Sequence, residues 1–412
     1  MTDIEKRASY FAIRQSQLLP REEMLETGRR QRSLTIGIPA EKGKSENRIA
    51  LTPQGVDLLV QNGHKVIIEA GAGNASNYFD HDFSESGATI VKTKAEVYKS
   101  EIILKISPPA SDEFALMTPN QLLLSFLFMP QQNRESIVEL MDRKINAVAY
   151  EFLKDESGCY PVIRSMSEIE GYAAITIASE YLSKAHGGKG VLLGGITGVS
   201  PAEVVIIGAG TAGEFATRAA LGLGCMVKVF DNSYKNLKEL ERNVGQRLFT
   251  SILHPLVLTK ALKSADAVVA SLRYFDSDHG FYITRDQVNQ MKPGSVIVDL
   301  SVGNNGGCFE TYSISAQQAT QDHPYINERG IIQYSVPNVA SRVARTASIA
   351  LSNIFAPVLL RLADAGGVHQ LIKEDMGISS GTYIYKGILT NSHIGNHFNL
   401  PFKDIGLLLA AF

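Results

Sequence analysis

Residues 204–231 read VVIIGAGTAGEFATRAALGLGCMVKVFD. The apolar, β-branched run 204–207 predicts a buried strand, and Gly208-Ala209-Gly210-Thr211-Ala212-Gly213 follows it directly. A helical pattern comes next, then a second apolar run, 226–230, that ends in Asp231. GxGxxG alone is a weak signal. Set between a strand and a helix, with an acid at the end of the next strand, it is a dinucleotide-binding fingerprint. Gly208 permits the tight turn, Gly210 lets the backbone approach a pyrophosphate, and Gly213 allows close packing of helix on sheet. Thr211 and Ala212 open the helix, whose free N–H groups and dipole favour phosphate. Asp231 is placed to accept hydrogen bonds from a ribose and to repel a 2′-phosphate, which points to NAD rather than NADP. The competing interpretation is a glycine-rich turn between packed elements, with Asp231 merely solvated.

The 412 residues suffice for two or three domains with substantial cores. Forty Lys+Arg against 42 Asp+Glu leave a formal charge of −2, and no basic stripe marks a nucleic-acid partner. No uninterrupted apolar run approaches the ~20 residues that span a bilayer. The N-terminal MTDIEKRASYFAIRQSQLLPREE has scattered charges and no secretory pattern. Cys159, Cys225 and Cys308 lack metal-like spacing, so neither a disulfide framework nor a metal site is expected. Each reads as a small apolar packing residue, in a reduced, cytoplasmic chain.

Outside the fingerprint, apolar runs alternate with helix-length patterns. Strands are expected at 34–38, 64–69, 101–106, 122–126 and 145–150, with helices at 51–62 and 132–142. Further strands follow at 267–271, 295–300 and 331–336. This alternation predicts an α/β fold built from doubly wound, largely parallel sheets. Ser167 with Glu170 fits a capping box at the start of a helix running toward Ala185, and Ser341 fits the N-cap of a helix to about 363 that Pro357 kinks. That last helix returns the chain to the first unit. The expectation is therefore two Rossmann-like domains, the nucleotide-binding one (163–344) inserted into a discontinuous substrate domain (1–162 plus 345–412). Residues 1–33 form an N-terminal extension, helical in part. Substrate would lie in the cleft, at the carboxyl ends of the strands. His393 and His397 are four apart, but Gly395 and Asn396 argue against a metal-binding helix.

The blocks IGIPAEKGKSENRIALTPQGV, GHKVIIEAGAG, MSEIEGYAA, GVLLGGITGV, VVIIGAGTAG, MKPGSVIVDL, NGGCFE and VPNVASRVARTAS occur in one order from residue 34 onward. On these blocks the chain resembles the alanine dehydrogenase and nicotinamide nucleotide transhydrogenase α-subunit family. The glycine-rich connector and GGCFE lie closer to alanine dehydrogenase. The resemblance implies a two-domain subunit, a homo-oligomer (usually a hexamer), with NAD on the second domain. It implies a small amino or keto acid as substrate: L-alanine, NAD and water to pyruvate, ammonium and NADH.

Residue by residue, the resemblance makes Arg48 the grip for the substrate carboxylate, a role that suits a bidentate guanidinium. The family lysine aligns with Ser107. Lys105, two residues earlier and so on the same face of a strand, is the candidate substitute, unless it is an ordinary snorkelling lysine. Phe128 stands at the family histidine, where it can neither donate nor titrate. The family aspartate falls in a loop reading Gly303-Asn304-Asn305, where Asn304 can hydrogen-bond but cannot act as a base. Asp299, before that loop, reads as structural. Met166 and Ser167 align with the pair lining the nicotinamide, and Asn338 with a cleft asparagine. For these three the plainer interpretations are a core methionine, a helix cap and a turn residue. Two functions therefore stand side by side. One is an NAD-dependent alanine dehydrogenase. The other is an NAD(H)-binding relative with lost or altered chemistry: a sensor, a non-catalytic subunit, or an enzyme for another amino or keto acid.

Overall fold

The computed structural model describes residues 32–43, 46–127, 132–272, 282–301, 307–311, 324–327 and 329–411. Phe128, Asn304 and nearly all of the N-terminal extension lie outside them.

The first sheet has eight strands. They are β1 (Thr35–Ile38), β2 (Lys65–Glu69), β3 (Thr89–Val91), β4 (Ile102–Leu104), β5 (Leu122–Ser125), β6 (Asn146–Ala149), β14 (Thr382–Tyr385) and β15 (Ile388–Leu389). Their spatial order is β15-β14-β6-β5-β4-β1-β2-β3. The second sheet takes its seven strands from the middle of the chain: β7 (Glu203–Ile207), β8 (Met226–Phe230), β9 (Phe249–Ser251), β10 (Ala267–Ala270), β11 (Val296–Asp299), β12 (Tyr325–Ile326) and β13 (Ile332–Tyr334). Its order is β12-β13-β11-β10-β7-β8-β9. Around β1 and around β7 the order reverses in the doubly wound way, and only β12, β14 and β15 pair antiparallel. The α/β fold is thus a Rossmann-like unit inserted between the β6 and β14 strands of another.

Parallel strands are buried on both faces, and β7 shows how. Val204 and Ile206 pack with Ala216 and Ala220, whereas Val205 and Ile207 pack with Leu258 and Leu262 on the other side. In the first sheet, Ile36 and Val66 pack beneath Phe355 and Leu359, and Ile103 and Leu123 meet Ile137 and Leu140 across the opposite face.

Four helices position the site. Helix α1 (Pro53–Gln61) begins with proline, and the Thr52 side chain caps it by accepting from Gly55 N. Helix α2 (Pro161–Leu182) joins the two units, and α3 (Thr211–Gly222) leaves the glycine turn. Helix α4 (Ala344–Asp364) runs through Pro357 and docks on the first sheet. Together with the 3-10 turn before it, α4 is the one described segment long and apolar enough to cross a membrane, yet 50% of its most apolar window is buried in the protein.

Three local expectations are corrected. Ser167 does not cap a helix: α2 starts six residues earlier at Pro161, whose fixed φ suits the first turn, and Ser167 is buried within it. Ser341 is not an α-helical N-cap either, because it lies inside a 3-10 turn, Val339–Val343. The His393 segment is helical, Ser392–Phe398, despite its glycine. Gly395 is needed there, since a Cβ would collide with the Phe402 ring.

Candidate active site

The glycine turn is built as its spacing predicts. Gly208 has φ +106, and a Cβ on it would press on Ser271 Oγ at 2.7 Å. A Cβ on Gly213 would collide with the Gly208 carbonyl oxygen and lie 2.8 Å from its carbon. Around Gly210 the reverse holds: nothing stands within 4 Å of where a Cβ would be. Gly210 is also the N-cap of α3 and offers no side-chain cap, so the first N–H groups of Thr211, Ala212 and Gly213 face that open space. This is a cradle that fits a pyrophosphate.

Asp231 follows β8 and is 4% exposed. Its Oδ2 accepts from Ala209 N at 2.7 Å, and its Oδ1 from Ser233 N at 2.7 Å. The carboxylate is thus pinned to the glycine turn rather than solvated.

A second cluster forms where the two units meet. Glu46 and Arg48 make a closed fork: Nε donates to Oε1 at 2.7 Å and Nη2 to Oε2 at 2.6 Å. Both side chains are largely buried. Burial works against the Arg48 charge, but the Glu46 carboxylate more than offsets it and raises the guanidinium above its ordinary value. Arg48 Nη1 points to Met166 Sδ at 3.3 Å, and Asn338 Nδ2 donates to Glu46 Oε2 at 2.9 Å. Arg48, Met166 and Asn338 therefore converge from three distant segments.

Serines hold this arrangement. Ser341 Oγ accepts from Asn47 N at 2.8 Å, Ser348 Oγ from Ile49 N at 2.9 Å, and Ser352 Oγ from Thr52 N at 3.1 Å. Positions 348 and 352 are one helical turn apart on α4, so a single face of that helix stitches down the loop carrying Arg48.

Lys105 belongs to a neighbouring buried ion cluster. Its Nζ donates to Glu113 Oε2 at 2.6 Å and lies 4.0 Å from Glu41 Oε2, while Lys94 donates to Glu113 Oε1 at 2.6 Å. Burial pushes the Glu113 carboxyl up, but Lys105 and Lys94 outweigh it and hold the group below its usual range. Burial pushes Glu41 above its usual range despite Lys105. The strand-face argument for Lys105 and Ser107 fails, because β4 ends at Leu104. Both residues nevertheless reach Glu41, which accepts from Ile106 N at 2.6 Å and Ser107 N at 3.3 Å.

Helix α2 links the clusters. Met166 lies against Arg48, and five residues on, Gly171 packs so tightly on α3 that a Cβ would lie 2.9 Å from Ala216 N. At 1.5 Å rise per residue that is roughly 7.5 Å along one helix. Residues 37–170 match the N-terminal domain of the alanine dehydrogenase/PNT family, and residues 174–392 match its C-terminal domain.

The chain belongs to the alanine dehydrogenase/PNT family.

An alanine dehydrogenase 2 of Staphylococcus aureus (strain USA300) is 35% identical over 373 residues, 90% of this chain and 98% of that protein. A solved L-alanine dehydrogenase superposes with a TM-score of 0.82 at 31% identity, covering 89% of this chain and 99% of the other. A transhydrogenase from Sinorhizobium meliloti shares the fold, at 23% identity and TM-score 0.71 over 87% of this chain and 99% of its own. With membership goes oxidoreductase chemistry on a nicotinamide nucleotide. The sequence reading missed Glu46, although i and i+2 share a face in extended chain and an acid two before Arg48 was there to be seen. It also missed the serines of α4, whose partners are some 300 positions away.

Proposed function

We propose that this family member is an NAD-dependent alanine dehydrogenase, interconverting L-alanine, NAD and water with pyruvate, ammonium, NADH and a proton. The observation that carries this reading is the α2 bridge, which holds the fixed guanidinium of Arg48 about a turn and a half from the nucleotide turn. Arg48 would grip the substrate carboxylate through Nη1 and the free edge of Nη2. Glu46 and Asn338 keep the guanidinium oriented before substrate arrives, which lowers the ordering needed in the reactive complex. Met166 and Ser167 would line the nicotinamide face, with Asn304 and Lys105 as further polar contributors. Gly208, Gly210, Thr211, Ala212 and Gly213 would cradle the pyrophosphate, and Asp231 the ribose. A 2′-phosphate would meet the Asp231 carboxylate at short range, which supports NAD over NADP. The bound nucleotide supplies the hydride acceptor in deamination and the donor in amination.

The same reading places the unit boundaries near 162/163 and 344/345, in a cytoplasmic homo-oligomer. Leu192, Ile196 and Val199 are all more than half exposed on one hairpin, which supports self-association.

One observation favours the second reading, an NAD(H)-binding protein with altered chemistry. Lys105 and Lys94 are both bound to Glu113, and Ser107 stands where the resemblance expects a lysine. The deciding experiment is NADH oxidation with pyruvate and saturating ammonium, run beside direct NADH binding. Turnover establishes the dehydrogenase. NADH binding without turnover on pyruvate or on a panel of other keto acids establishes the alternative.

A further inference from the structure

Strand β1 pairs with β2 on one side and with β4 on the other, and from there the strand order runs outward in both directions. The chains leaving β1 and β4 therefore part at their carboxyl ends, and in an open α/β sheet such a parting is the crevice that takes a ligand. The loop after β1 carries Glu41, Glu46 and Arg48, and the loop after β4 carries Ile106 and Ser107.

Glu41 spans this crevice. Its Oε1 accepts from Ile106 N at 2.6 Å and its Oε2 from Ser107 N at 3.3 Å, with the side chain only 8% exposed. Lys105 N still reaches Leu124 O of β5, but Ile106 N has passed the end of β1 at Ile38. It takes a side chain where the ladder would have supplied a carbonyl. The carbonyl of the same residue is held too. Tyr150 Oη donates to Ile106 O at 2.6 Å, beside the Phe126 N–H at 3.2 Å. The buried Tyr150 ring contacts Phe126 and Phe355, with centroids 5.9 and 5.1 Å away. Burial pushes its hydroxyl well above the ordinary value, so it stays a donor. Only a carboxylate offers each of the two N–H groups its own acceptor oxygen. Glutamine offers one, and an apolar side chain would leave both unpaired at a cost.

We propose that Glu41 and Tyr150 are positioning residues that clamp the Ile106–Ser107 turn to the loop carrying Arg48, and that this clamp sets which keto acid the crevice accepts. Neither touches a reacting atom; they fix the separation of the two walls. The proposal rests on the dehydrogenase reading above, and its test separates the two.

The charged groups facing Glu41 are Lys105, 4.0 Å from Oε2, and Glu46 on its own loop. Glu113 and Lys94 lie behind Lys105, and the Tyr150 hydroxyl faces Glu41 from the end of β6. Burial outweighs Lys105 and raises the Glu41 carboxyl above its usual range. Protonated Glu41 keeps one good acceptor oxygen, as glutamine does.

Tyr150→Phe keeps the ring and removes the hydroxyl, while Glu41→Gln keeps one acceptor. Each is expected to raise KM for pyruvate by about five- to tenfold and to narrow the preference between pyruvate and the keto acid one carbon longer. NADH affinity is expected to hold within about twofold. The ratio of wild-type to Glu41→Gln kcat/KM for pyruvate is expected to fall toward about one as pH drops from about 8 to about 5. Titration of the substrates cancels in that ratio and the Glu41 proton does not. If Glu41→Gln folds poorly, Tyr150→Phe still decides, because Phe126 N continues to hold Ile106 O. Unchanged KM and ranking would overturn the proposal, as would a ratio independent of pH, which marks a residue that only packs. Equal loss of NADH affinity would also overturn it, as a defect spread over both units. Wild-type protein that binds NADH but turns over no keto acid would instead overturn the dehydrogenase reading beneath it.

Discussion

Gly210 and Gly213, three positions apart in the glycine turn, give opposite predictions for the same substitution. Gly210 sits at φ −72 and ψ −171, a conformation alanine adopts freely, and nothing lies within 4 Å of the new Cβ. Gly210→Ala should therefore change stability by no more than about 0.5 kcal/mol, a small cap penalty against reduced freedom of the unfolded chain. The new methyl would project into the space a pyrophosphate needs. An overpacked contact costs about 1–3 kcal/mol, which is roughly 5- to 150-fold in NADH affinity. At Gly213 the methyl meets backbone: the Gly208 carbonyl oxygen in collision, its carbon at 2.8 Å and Ser271 Oγ at 3.2 Å. Backbone cannot swing aside as a side chain does, so Gly213→Ala belongs at the top of the overpacking range, about 3 kcal/mol. For a unit of this size that is a fall in Tm of about 6–12 °C. Thermal unfolding and fluorescence titration with NADH read the two effects separately. Wild-type NADH affinity in Gly210→Ala would refute the passage of the pyrophosphate over residue 210. Wild-type Tm in Gly213→Ala would refute the claim that helix and turn are in contact.

Arg48→Lys keeps the charge and loses the fork, so KM for pyruvate should rise by about tenfold or more while NADH binding holds; an unchanged KM would remove Arg48 from the carboxylate site. Glu46→Gln takes the counter-charge from a buried guanidinium and should lower the unfolding free energy in urea by about 3 kcal/mol, whereas a variant as stable as wild type would show that the pair contributes nothing. Asp231→Ser should raise the ratio of kcat/KM for NADPH to that for NADH, and a static ratio would mean that this carboxylate does not select the cofactor. Burial pushes the Asp299 carboxyl up to about 6. Against an unfolded value near 3.9, a raised folded pKa gives stability that is full below about pH 4 and lost as pH rises through about 6, roughly 3 kcal/mol in all. Asp299→Asn lacks that titration, so urea unfolding at pH 4.5 and pH 7 should show the variant gaining on wild type as pH rises; parallel curves would contradict the burial argument.

What the sequence disclosed and what it concealed divide along one physical line. Local signals with a short period were readable: the glycine spacing, the apolar runs of β7 and β8, and the helix behind Pro53 all depend on residues a few positions apart. The role proposed for Arg48 rests on resemblance alone at the level of sequence, because nothing near it distinguishes a substrate grip from a loop cation. The two serine errors differ in cause: at Ser167 the helix had already begun at Pro161, whereas at Ser341 the hydroxyl is used elsewhere. Serine caps helices because its hydroxyl satisfies a nearby orphan N–H, and that same hydroxyl can serve any N–H the fold delivers. At Ser341 the fold delivers Asn47 N, 294 positions away, and no pattern within the helix encodes it. The strand-face argument for Lys105 failed differently. The period-2 rule holds while the strand lasts, and β4 stops at Leu104, so its side chain was free to turn to Glu113.

The same division explains why the nucleotide half of the site is simpler to argue than the substrate half. The proposed pyrophosphate cradle is backbone at a turn that one contiguous hexapeptide defines, so its chemistry is local and can be read from the sequence. The proposed carboxylate grip draws on Arg48, Glu46, Met166 and Asn338, from three segments more than 100 residues apart, with serines on a fourth element holding the Arg48 loop. A substitution anywhere in that set changes the orientation of one guanidinium without altering any motif. Substrate choice within this fold is therefore expected to follow the contacts around Arg48 and the neighbouring cluster in which Ser107 reaches Glu41, while the cofactor turn stays constant. Ser107→Lys tests this directly. The new ammonium would reach toward Glu41, whose Oε2 already lies 3.3 Å from Ser107 N and 4.0 Å from Lys105 Nζ. If the serine sets the preference, the variant should shift kcat/KM among keto acids in a panel and leave NADH affinity as it was. An identical ranking of substrates before and after the change would show that position 107 takes no part in selecting them.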